Sequence, residues 1–284
     1  MIEVRASADV AGFLAEAGPF LTEREAEHNL ILGLCSQLRI HPGTFGGAPY
    51  LRVALDGDRV VAVSFRTPPH NLLLSESGDP EVTDAIARDA HATFESLPGV
   101  LGPPEAASAF AHRWQELTGA AAERVSANRI YLAAEAEQPE AVDGAMRAYG
   151  PDDRSTVLAW LEAFADEALA HETVRQSADT ILSRRERDPD GAFVLWESAG
   201  APVSLAGYGS PTPNGIRVGP VYTPPELRGR GYATSLVGEM TATLLERGYR
   251  FCFLFTDLSN PTSNRLYPRL GYRPVTDVHQ YRFA

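Results

Sequence analysis

An apolar strand that runs directly into a glycine-rich turn and then a helix limits the possible folds of this chain more than any other stretch. It reads Val221-Tyr222-Thr223-Pro224-Pro225-Glu226-Leu227-Arg228-Gly229-Arg230-Gly231-Tyr232-Ala233. Strand, tight turn and helix in that order belong to α/β architecture. Glycines let the main chain approach a bulky anion, and the first N–H groups of a helix are free donors aimed at it. Arg228 and Arg230 add positive charge at the same place. A helix is expected over Tyr232 to Arg247, ended by Gly248, a residue suited to a left-handed cap. Arg250 to Thr256 follow as a nearly unbroken apolar run. A strand of that kind is buried on both faces, as in a parallel pair joined by a crossover helix. Next comes Asn260-Pro261-Thr262-Ser263-Asn264-Arg265-Leu266-Tyr267, then Gly271-Tyr272. Ser259 or Asn260 caps a helix from Pro261 to Leu270, with proline at its favoured first position.

The two halves of the chain follow one plan. In the first, Leu51 to Leu55, the turn Asp56-Gly57-Asp58, and Arg59 to Phe65 read as a hairpin that Thr67-Pro68-Pro69 interrupts. In the second, Phe193 to Glu197, Ala199-Gly200 and Val203 to Tyr208 repeat it, and Pro211-Thr212-Pro213 interrupt again. Val100-Leu101-Gly102-Pro103-Pro104-Glu105 echoes Val218-Gly219-Pro220 with Pro224-Pro225-Glu226 behind it, and strand-like segments, Arg129 to Ala133 and Gln280 to Phe283, close the halves. The Ala/Glu-rich stretch Ala134 to Glu140 reads as the connector, which divides the chain into domains 1–138 and 139–284. After Glu105 come Ala106, Ala107 and Ser108, with no glycine. The first half is therefore expected to lack an anion cradle and to be structural or to shape a cleft. In the second half, Asp152 or Asp153 caps a helix from Arg154 to Ala170, and a further helix spans Val174 to Arg185.

Composition excludes several classes. A hydrophobic share of 44% and a charged share of 22% fit a globular chain with real cores. No apolar run reaches the roughly 20 residues of a bilayer span. Met1-Ile2-Glu3-Val4-Arg5 does not begin a leader peptide, so the expected location is the cytoplasm, with no membrane partner. The net charge of −12 opposes nucleic-acid binding and suits a cationic substrate such as an amine. Two distant cysteines, Cys35 and Cys252, and seven histidines without ligand spacing indicate neither a disulfide framework nor a metal site.

The spacing Arg228-x-x-Gly231-x-Ala233 resembles the pyrophosphate loop of the GNAT superfamily of N-acetyltransferases, and Asn260 to Tyr267 with Gly271-Tyr272 resembles its second signature helix. The resemblance runs from about Arg147 onward; the first half looks like a degenerate second copy. It implies an α/β (α+β) fold of two tandem GNAT-like domains. Each is a mixed central sheet flanked by helices, and splayed strands hold acetyl-CoA in the C-terminal domain. It further implies that the Val221 N–H meets the thioester carbonyl and that the main chain at Tyr222 and Thr223 runs beside the pantetheine arm. The amides of Gly229, Arg230, Gly231, Tyr232, Ala233 and Thr234 would hold the pyrophosphate, with Arg228 beside them. Asn260 and Asn264 would line the coenzyme, and Tyr267 would protonate the departing thiolate.

Many members of that superfamily carry a glutamate on the strand before the loop; Ile216 to Tyr222 contain no carboxylate. Asp257, His171 and Glu172 are the candidate bases. The implied activity is direct attack of a small-molecule or peptide primary amine on acetyl-CoA in a ternary complex, by a monomer or homodimer. The alternatives are a non-catalytic acyl-CoA-binding sensor or assembly module, or, among enzymes, an acetyltransferase similar to mycothiol synthase or an aminoacyl transferase of cell-wall synthesis.

Overall fold

The computed structural model describes residues 1–284 except Thr44, Gln138, Ala141, His171 and Thr173. The chain divides into two compact units, Met1–Arg129 with Thr276–Ala284, and Ile130–Val275.

The first unit contains β1 (Ile2–Ala6), α1 (Val10–Glu23), α2 (Asn29–Ile40), β2 (Tyr50–Asp56), β3 (Arg59–Arg66), β4 (Leu72–Leu74), α3 (Pro80–Thr93), β5 (Gly99–Gly102) and α4 (Pro104–Thr118). It also holds the first part of β6 (Ala122–Ala133). Helix α1 starts where the Asp9 side chain accepts from Gly12 N at 2.8 Å, and it buries Val10, Phe13, Ala17 and Leu21 at helical spacing. The expected hairpin is present: β2 pairs antiparallel with β3 around Gly57, whose φ of 61° suits the turn. β4 then pairs antiparallel with β3 and parallel with β5.

The second unit holds the end of β6 and then β7 (Ala145–Ala148), α5 (Arg154–Ala168), α6 (Ala178–Arg187), β8 (Ala192–Ser198), β9 (Ala201–Gly209), β10 (Gly215–Tyr222), α7 (Tyr232–Glu246), β11 (Phe251–Asp257) and α8 (Pro261–Leu266), continued by a 3-10 turn to Leu270. The last strand is β12 (Arg273–Phe283). β7, β8, β9 and β10 pair antiparallel in turn, and β10 pairs parallel with β11. Alternation places Val194 and Trp196 of β8 in the α7 core with Leu236, Val237, Met240 and Leu244. Phe193 and Leu195 enter the opposite core with Val157, Leu161 and Leu182 of α5 and α6. The sheet of this unit thus has a helix layer on each face.

The repeat is real, but its register differs from the sequence reading. Topology matches β4, α3 and β5 to β10, α7 and β11, so the segment from Val100 to Glu105 corresponds to the end of β11 and not to the glycine turn. The first unit's counterpart of that turn is Ser75-Glu76-Ser77-Gly78-Asp79. There Asp79 caps α3, accepting from Glu81 N at 2.9 Å. The Asp79 carboxylate thus stands at the start of α3, the place where an external anion would meet the helix.

The closing strands also depart from the expected boundary at 138/139. Residues 276–284 belong to the first unit, where His279 to Arg282 of β12 pair antiparallel with β5, and Phe283 joins Phe110 and Trp114. Residues 130–133 of β6 belong to the second unit. The two repeats exchange their last strands.

Smaller differences have local causes. Helix α6 begins at Ala178 because Ser177 accepts from Thr180 N at 3.2 Å. Asp153 does not cap α5; its carboxylate accepts from Gly150 N at 2.9 Å and from Arg147 at 2.7 and 2.8 Å. Cys35 and Cys252 are free and buried. No described helix is long and apolar enough to cross a membrane.

Candidate active site

Strands β10 and β11 lie side by side only at their starts: Gly215 pairs with Phe251, Ile216 with Cys252 and Arg217 with Phe253. Beyond Arg217 the parallel pairing stops. On its other edge β10 stays joined to β9, Val218 opposite Tyr208 and Val221 opposite Ala206, with a bulge between. Gly219 and Pro220 form the bulge, and the φ of 138° at Gly219 is open to glycine. Proline contributes no N–H and belongs at such a place. Val221 and Tyr222 therefore lie on a stretch of β10 that β11 does not cover.

The turn after β10 has the geometry of an anion cradle. Gly229 and Gly231 have φ of 78° and 84°, the left-handed region that turns successive amides toward one side. A Cβ on Gly231 would lie 2.8 Å from Val142 Cγ1, so this position also requires the absence of a side chain. The first intrahelical bond of α7 is Ser235 N to Gly231 O at 3.0 Å. The amides of Gly229, Arg230, Gly231, Tyr232, Ala233 and Thr234 precede it and bond to no described protein group, as expected of a helix start.

The arginines of the turn are less free than the sequence suggests. Arg228 donates Nε to the Thr223 carbonyl at 2.8 Å and Nη2 to both Glu167 oxygens. Thr223 in turn places Oγ1 2.8 Å from Ser204 Oγ, so its carbonyl and hydroxyl are both engaged within the protein. Among the described residues Arg230 donates to the Glu226 carbonyl alone, at 3.3 Å.

Helix α8 is held by two asparagines. Asn260 Oδ1 accepts from Thr262 N and Ser263 N, both at 3.1 Å, which makes it an N-cap and leaves only its amide nitrogen for a ligand. Asn264 is committed on both ends: Nδ2 donates to the carbonyls of Asp257 and Asn260 at 2.9 and 2.8 Å, and Oδ1 accepts from Thr256 Oγ1 at 2.7 Å. It locks the end of β11 to α8. The lock positions Tyr267, which is 8% exposed and set between Tyr131 and Tyr272 at ring distances of 6.4 and 5.8 Å. Burial pushes its phenol up to about 12. The hydroxyl bonds to no described group, in contrast with Tyr272, whose hydroxyl lies 2.8 Å from Thr241 Oγ1.

Two of the three candidate bases lie among the described residues. Asp257 Oδ1 accepts from Ser259 N at 2.7 Å, a turn-forming bond. Glu172 lies just past α5, its N–H bonded to the Leu169 carbonyl at 3.0 Å. His171 lies outside the described residues. Among the described residues no group of histidine, cysteine, aspartate or glutamate could hold a metal ion. Sequence reading missed Glu167, Val142, Ser204 and Thr256. Each acts on a site residue more than five positions away, so no local pattern announces it.

Comparison with known proteins bears on this arrangement. Residues 155–272 match the model of the acetyltransferase (GNAT) family. No curated protein matches the chain. Among solved structures, a GCN5-related N-acetyltransferase from Sphaerobacter thermophilus is 21% identical, with a TM-score of 0.62 over 99% of this chain and 95% of that one. A GCN5-related N-acetyltransferase from Kribbella flavida is also 21% identical, with a TM-score of 0.56 over 78% and 86%. A tandem GNAT protein from the clavulanic acid biosynthesis pathway is 14% identical, with a TM-score of 0.57 over 100% and 98%. At such identities the likeness is one of fold.

Proposed function

We propose that the protein is an acetyl-CoA-dependent N-acetyltransferase of a small-molecule or peptide primary amine, on the premise that residues 155–272 match the acetyltransferase (GNAT) family. The observation that carries the reading is the conjunction at β10: a strand edge released from β11 leads into a helix start whose six amides bond to no described group. The bare turn fits a diphosphate, because each charge-assisted hydrogen bond there is worth about 1.5–3 kcal/mol net. The uncovered edge suits an extended pantetheine arm, as an added strand would.

In this proposal Val221 N–H meets the thioester oxygen as negative charge develops on it, the place where a fixed main-chain donor is most effective. Tyr267 supplies a hydroxyl that has no competing partner among the described residues. With its phenol near 12 and a thiol near ~8.5, full proton transfer is uphill by roughly 5 kcal/mol. Tyr267 therefore acts as a neutral donor that steadies the departing sulfur. The amine attacks directly; both cysteines are buried in apolar surroundings, their thiols pushed up to about 12, which suits neither to be a nucleophile.

No side chain of β10 offers a base, so an acceptor that is easily deprotonated fits best. An α-amine near ~8 costs about 1 kcal/mol to neutralise at pH 7, a lysine-like amine near ~10.4 about 4–5. The first unit, with Asp79 in place of a cradle, is proposed to be non-catalytic. Thiol release from acetyl-CoA with a panel of amines tests the reading, compared between the parent and Tyr267→Phe. Turnover reduced 10-fold or more in the variant, with acetyl-CoA affinity kept, supports it. Coenzyme binding with no turnover on any amine would make the protein a sensor.

A further inference from the structure

All 25 cationic side chains of this acidic chain are arginines, and many are matched to carboxylates, among them Arg52 to Asp89, Arg129 to Asp277 and Arg147 to Asp153. Three on the α6 side of β10 are not. Arg184 and Arg185 are adjacent on α6, and Arg217 sits on β10 where β11 begins to part from it. Among the described residues none of the three forms an ion pair.

The place is built. Arg185 donates Nη1 to the Tyr208 carbonyl and Nη2 to the Gly219 carbonyl of the bulge, and its guanidinium lies over Phe193. It passes through space that only a bare residue leaves: a Cβ on Gly209 would overlap Arg185 Nη1 at 1.7 Å. The Arg217 guanidinium lies 4.9 Å from the centre of the Phe255 ring, and its Nε is buried without a hydrogen-bond partner. Burial pushes the guanidiniums of Arg185 and Arg217 down to about 10; for Arg217 the nearby Arg185 and Arg184 push the same way. Asp188 is the carboxylate in this field: its Oδ1 accepts from Asp190 N at 3.0 Å, while its Oδ2 faces the Arg185 side beside Gly209 and Gly191 without forming an ion pair with any of the three. Arg185 has a structural use, tying α6 to the bulge. Arg217 stacks on Phe255 but donates to no described residue. A half-buried cation with an orphaned donor is costly unless an anion meets it.

We infer that Arg217, backed by Arg184 and Arg185, seats a carboxylate carried by the acceptor itself, so that the substrate class is amines bearing their own acid group. The inference rests on the acetyltransferase reading and deepens it. Arg217 is four residues before Val221 on the same strand, and with the bulge between them the two are at most about 13 Å apart. A guanidinium presents a planar fork that matches a carboxylate in two parallel bonds. The same cations lower the pKa of an ammonium held near them, which favours the neutral, attacking amine.

The test uses matched acceptors: peptides and amino acids with a free carboxylate, the same compounds as carboxamides, and amines bearing phosphate in its place. The parent should show kcat/KM about 10- to 100-fold higher for the carboxylate than for the amide, the range of one charge-assisted pair. Arg217→Met should bring that ratio near 1, chiefly through KM, and Arg217→Lys should restore part of it. Acetyl-CoA affinity, read by calorimetry, should stay at the parent value in both variants. No carboxylate preference in the parent, or a preference for phosphate alone, overturns the inference. A ratio unchanged in both variants overturns it too. Loss of coenzyme binding in the parent would instead strike the acetyltransferase reading. If no amine is turned over, calorimetric binding of the carboxylate compounds to the coenzyme-loaded parent decides, and absence of binding counts against the seat.

Discussion

Arg228 closes on Glu167 of α5, its Nη2 2.9 and 2.7 Å from the two carboxylate oxygens. An arginine beside an anion cradle is thus already partnered. Both side chains are about half exposed, 46% and 48%, so the pair contributes little to stability, roughly 0–1 kcal/mol. On the proposed reading its effect on ligand binding would be larger, because a coenzyme phosphate would have to share Arg228 with a carboxylate.

Glu167→Gln should therefore tighten acetyl-CoA binding about 2- to 5-fold, and should move unfolding free energy by less than about 0.5 kcal/mol. Calorimetry at two salt concentrations checks this. Binding that weakens in the variant would mean that Glu167 positions Arg228 rather than competing for it.

The two turn glycines should respond differently. At Gly231 a methyl group meets Val142 at 2.8 Å in addition to the unfavourable φ of 84°. At Gly229 the φ of 78° is the sole obstacle, with open space beyond. Left-handed backbone costs a non-glycine residue about 1–2 kcal/mol. Gly229→Asp should lower Tm by a few degrees at most and weaken acetyl-CoA binding 10-fold or more by setting a carboxylate against the diphosphate. Gly231→Ala should cost more stability. Equal affinity in parent and Gly229→Asp would place the phosphates elsewhere.

Asn264 should behave as a structural residue. Replacing it with alanine strands the Thr256 hydroxyl and two carbonyls. A loss of about 2–4 kcal/mol in unfolding free energy is expected from those bonds together. Denaturant titration measures it; a loss below about 1 kcal/mol would show that water replaces the amide freely.

Stability should decline on the alkaline side. Burial raises the thiols of Cys35 and Cys252 from 9.0 to about 12 and the phenol of Tyr267 from 10.0 to about 12. The unfolded chain releases these protons first, so the stabilisation is whole below pH 9 and is lost as pH rises toward 12. Each such group contributes a slope of about 1.4 kcal/mol per pH unit within that window. Denaturant midpoints from pH 7 to 11 should stay level and then fall. The double variant Cys35→Ala, Cys252→Ala should fall less steeply, and an identical slope would refute the assignment.

What the sequence made legible was local. The turn from Arg228 to Ala233 shows itself because glycine, arginine and a helix start occur within a few residues. The hairpin at Gly57 and the apolar run of β11 show themselves for similar reasons. The Arg228–Glu167 pair, the Asn264 lock and the Arg185 passage over Gly209 join residues that only the fold brings together. The repeat was visible, but its register was misread because Pro-Pro-Glu occurs after both β5 and β10, and a tripeptide carries too little pattern to align two domains. Asp79 as a built-in anion at α3 required knowing which loop is the true counterpart.

The strand exchange sets an order of events. Residues 276–284 complete the sheet of the first unit and place Phe283 beside Trp114. A chain emerging from the ribosome has made all of α1 to α4 long before those residues exist. The portion synthesised first is thus the portion finished last, and until then β5 has an open flank that β12 has yet to fill.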